Sequence, residues 1–292
     1  MMIKQSFGGD WTEEKLSRVR KYLAAYATIM KEYNFQYAYI DAFAGTGYRT
    51  LKQSEDETTL MLPELVEPES KKFLEGSTRI ALQIQPRFSK YIFIEKDESK
   101  INELNKLKME FKHLSNDIRI INEDANIYIN NLCDRNWESH RAVLFLDPFG
   151  MQIRWETITA IARTKAIDLW YLFPVGVAVN RLLKKDGNIN DSIRKRLDET
   201  FGTTDWYDRF YQKREEISLF GGYYSVTEKI VDCNLIGQYF VERLNTVFEG
   251  VAKNPLLLVN SKNTPLYLLC FAAANKKAAK TAIKIAQDIL KK

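Results

Sequence analysis

A chain of 292 residues in which 45% are hydrophobic suits one large α/β domain carrying an insertion, or two modest domains. Its formal net charge of +5 is compatible with a polyanionic partner without demanding one. No window reaches the roughly 18 apolar residues of a membrane span, and Met1 to Asp10 lacks the basic-then-apolar pattern of an export signal, so no membrane partner and a cytoplasmic location are expected. The cysteines Cys133, Cys233 and Cys270 are widely spaced, and the histidines His113 and His140 are isolated. That spacing argues against a disulfide scaffold, a zinc or other metal site and a Ser/His triad.

The first helix starts near Asp10 or Thr12, and Leu16, Val19, Tyr22, Leu23, Tyr26, Ile29 and Met30 recur at helical spacing. Tyr37 to Ile40 is a short apolar run that reads as a buried strand ending at Asp41. A glycine-bearing turn, Asp41-Ala42-Phe43-Ala44-Gly45-Thr46-Gly47, follows. Residues 50 to 75 are acidic and irregular and read as an excursion or a lid. Order resumes at Gly76-Ser77 with a helix to Ile84, which Pro86 ends.

Tyr91 to Ile94 gives a second strand closing on Glu95, followed by a polar helix over 98–112. Ile118 to Ile121 gives a third strand closing on Asn122-Glu123-Asp124, followed by a helix from Ala125 to Leu132. Ala142 to Leu146 gives a fourth strand closing on Asp147-Pro148-Phe149-Gly150. A helix from Trp155 to Arg163 leads to a fifth strand, Ile167 to Phe173. Alternating strands and helices predict a parallel sheet covered on both faces. Continuous apolar strands are what burial on both faces requires.

Residues 175–254 break the rhythm. They hold a basic turn and three expected helices, the longest over about Thr227 to Phe248. Leu256 to Val259 and Leu266 to Phe271 are closing strands, and a lysine-rich amphipathic helix, Lys276 to Leu290, ends the chain. The expected organisation is an α/β domain over 1–174 and 255–292, with 175–254 as a helical insertion for substrate or partner recognition.

Ligands of open parallel sheets bind beyond the carboxyl ends of the strands. Gly45 and Gly47 let backbone approach a ligand closely. The turn lacks the full GxGxxG of a dinucleotide site and the GK[ST] of a P-loop. An acid followed by GxG suits S-adenosylmethionine, with Asp41 facing the ammonium group and Phe43 in the same turn. Glu95 is placed to take the ribose hydroxyls, or else is a solvated charge in an acidic run. Asp124, with Ala125 after it, is placed to accept from the adenine amine, or else caps the next helix. At the fourth strand, Asp147 can hold an exocyclic amine and Phe149 can stack on a base, with Pro148 between them. The competing reading is a capping Asp before a first-turn Pro.

Trp11-Thr12, Lys15-Leu16, Tyr22-Leu23, the Asp41 to Gly47 turn, Phe93-Ile94-Glu95-Lys96-Asp97, Leu146-Asp147-Pro148-Phe149-Gly150, Pro265 to Leu269 and Phe271-Ala272 together resemble the three-Cys-motif partner protein (TcmP) family. The resemblance implies a Rossmann-like class I methyltransferase fold. Its sheet is mostly parallel and seven-stranded, with helices on both faces and the helical insertion between strands 5 and 6. It also implies a partner protein with three clustered cysteines. Asp147-Pro148-Phe149-Gly150 also resembles the motif of transfer-RNA guanine-N2 methyltransferases and departs from the DPPY of DNA amino-methyltransferases.

The leading expectation is an enzyme that methylates an amino group of a nucleic-acid base in RNA or DNA. Arg181, Lys184, Lys185, Arg194, Lys195 and Arg196 are then candidate phosphate contacts. The alternatives are a cofactor-binding adaptor without transfer, and a nicotinamide oxidoreductase, which the short GxG turn disfavours.

Overall fold

The structure is a computed structural model that describes residues 10–44, 69–217 and 222–291. Helix α1 (Asp10–Lys31) precedes strand β1 (Gln36–Asp41). Then come α2 (Glu69–Gln83), β2 (Lys90–Glu95), α3 (Glu98–Glu110), β3 (Ile118–Asn122), α4 (Ala125–Cys133), β4 (His140–Leu146), α5 (Trp155–Arg163) and β5 (Ile167–Phe173). A π-helical turn over Val175–Asn180 leads to α6 (Asp191–Phe201), α7 (Trp206–Phe210), β6 (Tyr211–Ile217), β7 (Tyr223–Lys229) and α8 (Cys233–Asn245). The chain closes with β8 (Gly250–Val251), β9 (Leu256–Val259), β10 (Pro265–Ala273) and α9 (Ala279–Leu290).

The main sheet runs β3-β2-β1-β4-β5-β10-β8, with β9 also on β10. The five strands from β3 to β5 are parallel, and β10 is antiparallel to β5. This is the strand order of the class I methyltransferase fold. Seven strands were expected and eight form. The difference is small, because β8 and β9 share the free edge of β10. Val251 faces Ala272 and Leu256 faces Leu269, so the edge strand is interrupted rather than doubled.

Strand alternation explains the two cores. Along β4, Ala142, Leu144 and Leu146 enter one core, whereas Val143 and Phe145 enter the other. The first core is covered by α4, α5, α8 and the segment from α6 to α7. The second is covered by α1, α2, α3 and α9. Phe173 of β5 stacks on Phe240 of α8, with ring centroids 3.8 Å apart and planes within 2°. The insertion therefore packs on the sheet through shared core residues.

Three expectations are corrected. Helix α2 begins at Glu69, not at Gly76, so only the part of the acidic excursion before Glu69 lies outside the described residues. The helix expected from Thr227 begins at Cys233, where the Asp232 carboxylate accepts from the Leu235 N–H at 2.9 Å. The residues before it are β7, paired antiparallel with β6 from Tyr211↔Lys229 to Ile217↔Tyr223. The insertion is thus helical with a two-stranded ribbon. The ribbon is largely exposed and its side chains are mostly polar or charged. It offers no buried face whose period-2 pattern would betray a strand.

Candidate active site

The strand order reverses between β1 and β4, which makes the carboxyl ends of these strands the switch point where such sheets bind ligands. Asp41 ends β1 and Asp147 follows β4. The chain leaving β1 stays clamped between its neighbours. Ala42 donates to the Phe145 carbonyl and Ala44 to the Ile94 carbonyl, each at 3.1 Å. Gly45 and Gly47 lie outside the described residues.

Asp41 is fully buried. It accepts from the Tyr39 hydroxyl at 3.0 Å and from the Phe43 N–H at 3.4 Å. Burial pushes its carboxyl up to about 7, and the nearby Asp147 charge adds to the rise. The Ser77 and Tyr39 hydroxyls pull the other way. Ser77 Oγ faces Asp41 outside hydrogen-bonding geometry and is otherwise unpartnered among the described residues.

Asp147 is buried and pairs through Oδ2 with the Lys15 ammonium at 3.5 Å. Burial raises its carboxyl above the usual range, and Lys15 pulls it back. Lys15 is itself 1% exposed. Its Nζ lies 4.8 Å from the Trp11 ring centroid and 5.9 Å from that of Tyr267. These two rings stack on each other at 5.8 Å. Burial brings Lys15 down to about 7 against the opposing pull of Asp147 and Asp41. The capping alternative for Asp147 fails, since the next helix begins only at Trp155. Pro148 is buried and Phe149 half-buried.

Glu95 ends β2 and is not a solvated charge, its side chain being 10% exposed. Oε1 accepts from the Lys96 and Asp97 N–H groups at 2.9 Å each. Oε2 lies 3.7 Å from Lys100 Nζ, which in turn lies 5.7 Å from the Phe149 ring centroid. Lys100 therefore links the second-strand carboxylate to the loop after the fourth strand.

Asp124 does cap α4. Its Oδ1 accepts from the Asn126 N–H at 2.9 Å and the Ile127 N–H at 3.4 Å. Ala125 is the first residue of that helix and is buried. Asn126 ties this turn to the Asp147 loop. Its Nδ2 donates to the Gln152 carbonyl at 2.9 Å, and its Oδ1 accepts from the Arg154 N–H at 3.0 Å and the Thr157 hydroxyl at 2.9 Å. Gln152 Oε1 accepts from the Phe149 N–H at 2.9 Å.

The structure thus brings Asp41 and Asp147 together and places Glu95 on the next strand, with Lys100 between it and Phe149. Asp124 joins them through Asn126. Of the basic residues in the insertion, Arg181, Lys184, Lys185, Lys195 and Arg196 are exposed. Arg196 donates to the Met151 carbonyl at 3.1 Å, which fastens α6 to the loop after Asp147. Arg194 instead lies over the Tyr207 ring at 4.4 Å. Among the described residues no cluster of side chains suits a metal ion, and no helix is long and apolar enough to cross a membrane.

Lys15, Tyr39, Lys100, Asn126, Gln152 and Tyr267 join the site without a role expected from sequence. Lys15 left a signal. It lies on the apolar stripe of Trp11, Val19, Tyr22 and Tyr26, where a lysine must be paired or pushed neutral. Asn126 and Gln152 left none, because their bonds cross loops.

No family model matches the chain, and no curated protein matches it by sequence. Solved structures do resemble it. One is a Legionella pneumophila protein of the family model DUF519, at 13% identity and a TM-score of 0.48, covering 97% of this chain and 92% of that one. Another is the O-methyltransferase TomG from Streptomyces achromogenes in complex with SAM, at 11% identity and a TM-score of 0.36, covering 77% and 90%. A putative methyltransferase, yhhF from Escherichia coli, gives 13% identity, a TM-score of 0.29 and coverage of 79% and 92%.

Proposed function

We propose that this protein is an S-adenosylmethionine-dependent methyltransferase acting on an amino group of a nucleic-acid base. One observation carries the reading: two buried carboxylates, Asp41 and Asp147, flank the switch point of a class I methyltransferase sheet, with Glu95 at the end of the adjoining strand. Asp41 and Phe43, with Gly45 and Gly47 beyond them, would hold the amino-acid end of the cofactor. Glu95 would take the ribose hydroxyls, as acids at this place do in dinucleotide folds. Asp124 and the backbone of Ala125 would meet the adenine.

In this reading Asp147 would accept a hydrogen bond from the substrate amine and hold the amine nitrogen toward the bound cofactor. Pro148 stiffens the loop and Phe149 stacks on the base. The bound cofactor would supply the methyl group, and these side chains would hold the amine toward it. Alignment of the two reactants supplies most of the rate in such a transfer. Residues 175–254 act as a recognition unit, and the tie between Arg196 and Met151 favours that role because it joins α6 to the substrate loop. The exposed Arg181, Lys184, Lys185 and Lys195 would meet phosphates.

The test is tritium transfer from labelled adenosylmethionine to cellular RNA and DNA, alongside calorimetric titration with adenosylmethionine and with NAD. Transfer that disappears in Asp147→Ala is expected. Binding of adenosylmethionine without transfer to any acceptor favours the adaptor reading, in which the chain serves a three-Cys-motif partner as the TcmP resemblance implies. Binding of NAD alone rejects both.

A further inference from the structure

Among the described residues two lysines are buried, Lys15 and Lys100. Lys15 is the one paired with Asp147. Its ammonium is reached by charged or titratable groups from three other parts of the fold: Asp147 after β4, Asp41 on β1 and Tyr267 on β10. Tyr39 of β1 completes the cluster through its bond to Asp41. Trp11 and Tyr267 wall the ammonium off from water. The Lys15 side chain is 2% exposed, and its role is assigned through Asp147 rather than through contact with a substrate.

We propose that Lys15 is a positioning residue for methyl transfer, whose ammonium keeps the Asp147 carboxylate ionised and fixed at the carboxyl edge of the sheet. The proposal rests on the reading of Asp147 as the substrate-facing group. The ion pair engages Oδ2, and in this reading Oδ1 would take the amine. Without the lysine, no cation among the described residues pairs with either of these two buried carboxylates. A buried charge without a partner takes up a proton rather than remain ionised. A protonated Asp147 accepts a hydrogen bond poorly, so the amine would lose its guide. The cluster also limits activity from above. As pH rises through about 7, Lys15 itself loses its proton and the pair dissolves.

Two pH limits follow, and a purely structural lysine would set neither. The acid limb of the kcat profile carries Asp147 together with Asp41, which burial also raises, and the basic limb carries Lys15. In Lys15→Met the acid limb moves to higher pH, and kcat at pH 7 falls at least about tenfold, as expected when a carboxylate loses a close cation. In Lys15→Arg the cation cannot be neutralised, so the basic limb moves up or vanishes while the acid limb stays.

The experiment is carboxyl-carbon NMR of the full chain labelled at aspartate, with the Asp147 signal assigned by its absence in Asp147→Asn. It runs beside the kcat profiles with adenosylmethionine. The Asp147 midpoint is expected at higher pH in Lys15→Met than in the wild-type protein. An unmoved midpoint overturns the proposal even if the protein methylates. Should Lys15→Met not fold, the labelled Lys15 Nζ and Asp147 carboxyl of the wild-type protein are followed instead. They must titrate as a coupled pair, and independent titration overturns the proposal. Coupling in a protein that transfers no methyl group upholds the ion pair and rejects the methyltransferase reading it serves.

Discussion

Two buried carboxylates, Asp147 and Asp168, meet side chains of helix α1, and they differ in partner and in position along the sheet. Asp147 lies beyond the carboxyl end of β4 and meets a lysine. Asp168 lies near the start of β5, toward the other end of the sheet, and meets a tyrosine. The Tyr22 hydroxyl donates to it at 2.7 Å. Burial pushes Asp168 up to about 7, with Tyr22 and Arg141 pulling it down. One site pairs a carboxylate with a cation at the edge proposed to take ligands. The other holds a carboxyl beneath α1 where a hydroxyl bridges helix to strand. Buried ionisable groups mark a functional site only when the fold also puts them at the ligand edge.

Replacing each carboxylate by its amide separates the two most sharply. Asp147→Asn is expected to lower methyl transfer by about 10²-fold or more, the scale of losing a group that acts on the reacting atoms. The thermal midpoint should change far less. Asp168→Asn should leave transfer intact. A large loss of transfer in Asp168→Asn, measured with tritiated cofactor, would erase the distinction.

Stability should show the reverse pattern. Asp168 has a folded value near 7 against 3.8 in the unfolded chain, so the folded state holds the proton more tightly. The stability this gives is complete below about pH 4 and is lost as pH rises through 7. Asp168→Asn keeps an acceptor for Tyr22 and removes the titration. At pH 8 the variant should therefore be more stable than the wild-type protein, by up to about 4 kcal/mol. At pH 4 the two should be similar. Urea titrations at both pH values decide it, and equal curves at pH 8 would show that the fold does not raise the Asp168 carboxyl.

Much of this architecture can be read from the chain before folding is considered. The apolar runs over 91–94, 142–146 and 167–173 are buried on both faces, and each was recognisable because no polar residue interrupts it except Asp168. The carboxylates Asp41, Glu95 and Asp147 were visible because each follows such a run. Asp124 was visible too, but its capping geometry looks the same in sequence as a ligand contact. What could not be read are contacts between distant segments. Lys15 meets Asp147 and Tyr267 only after α1 folds across the sheet, and Gln152 meets Phe149 only once the loop turns back. The ribbon β6–β7 escaped because exposed strands carry no hydrophobic period.

Glu95 and Asp124 extend the comparison along the ligand edge, with smaller effects. Glu95→Gln keeps the shape but weakens charge-assisted bonds, so affinity for adenosylmethionine should fall about tenfold by calorimetry. An unchanged affinity would remove Glu95 from the ribose site. Asp124→Ala removes a helix cap and should cost about 1 kcal/mol of stability whatever else the residue does. That cost is the baseline against which a cofactor role must be judged. Asp124→Ser keeps a capping oxygen while removing the charge. If Asp124 also meets adenine, Asp124→Ser should restore stability yet still bind cofactor several-fold more weakly than the wild-type protein. If both properties recover together, Asp124 is a cap alone, and the ligand edge narrows to Asp41, Glu95 and Asp147.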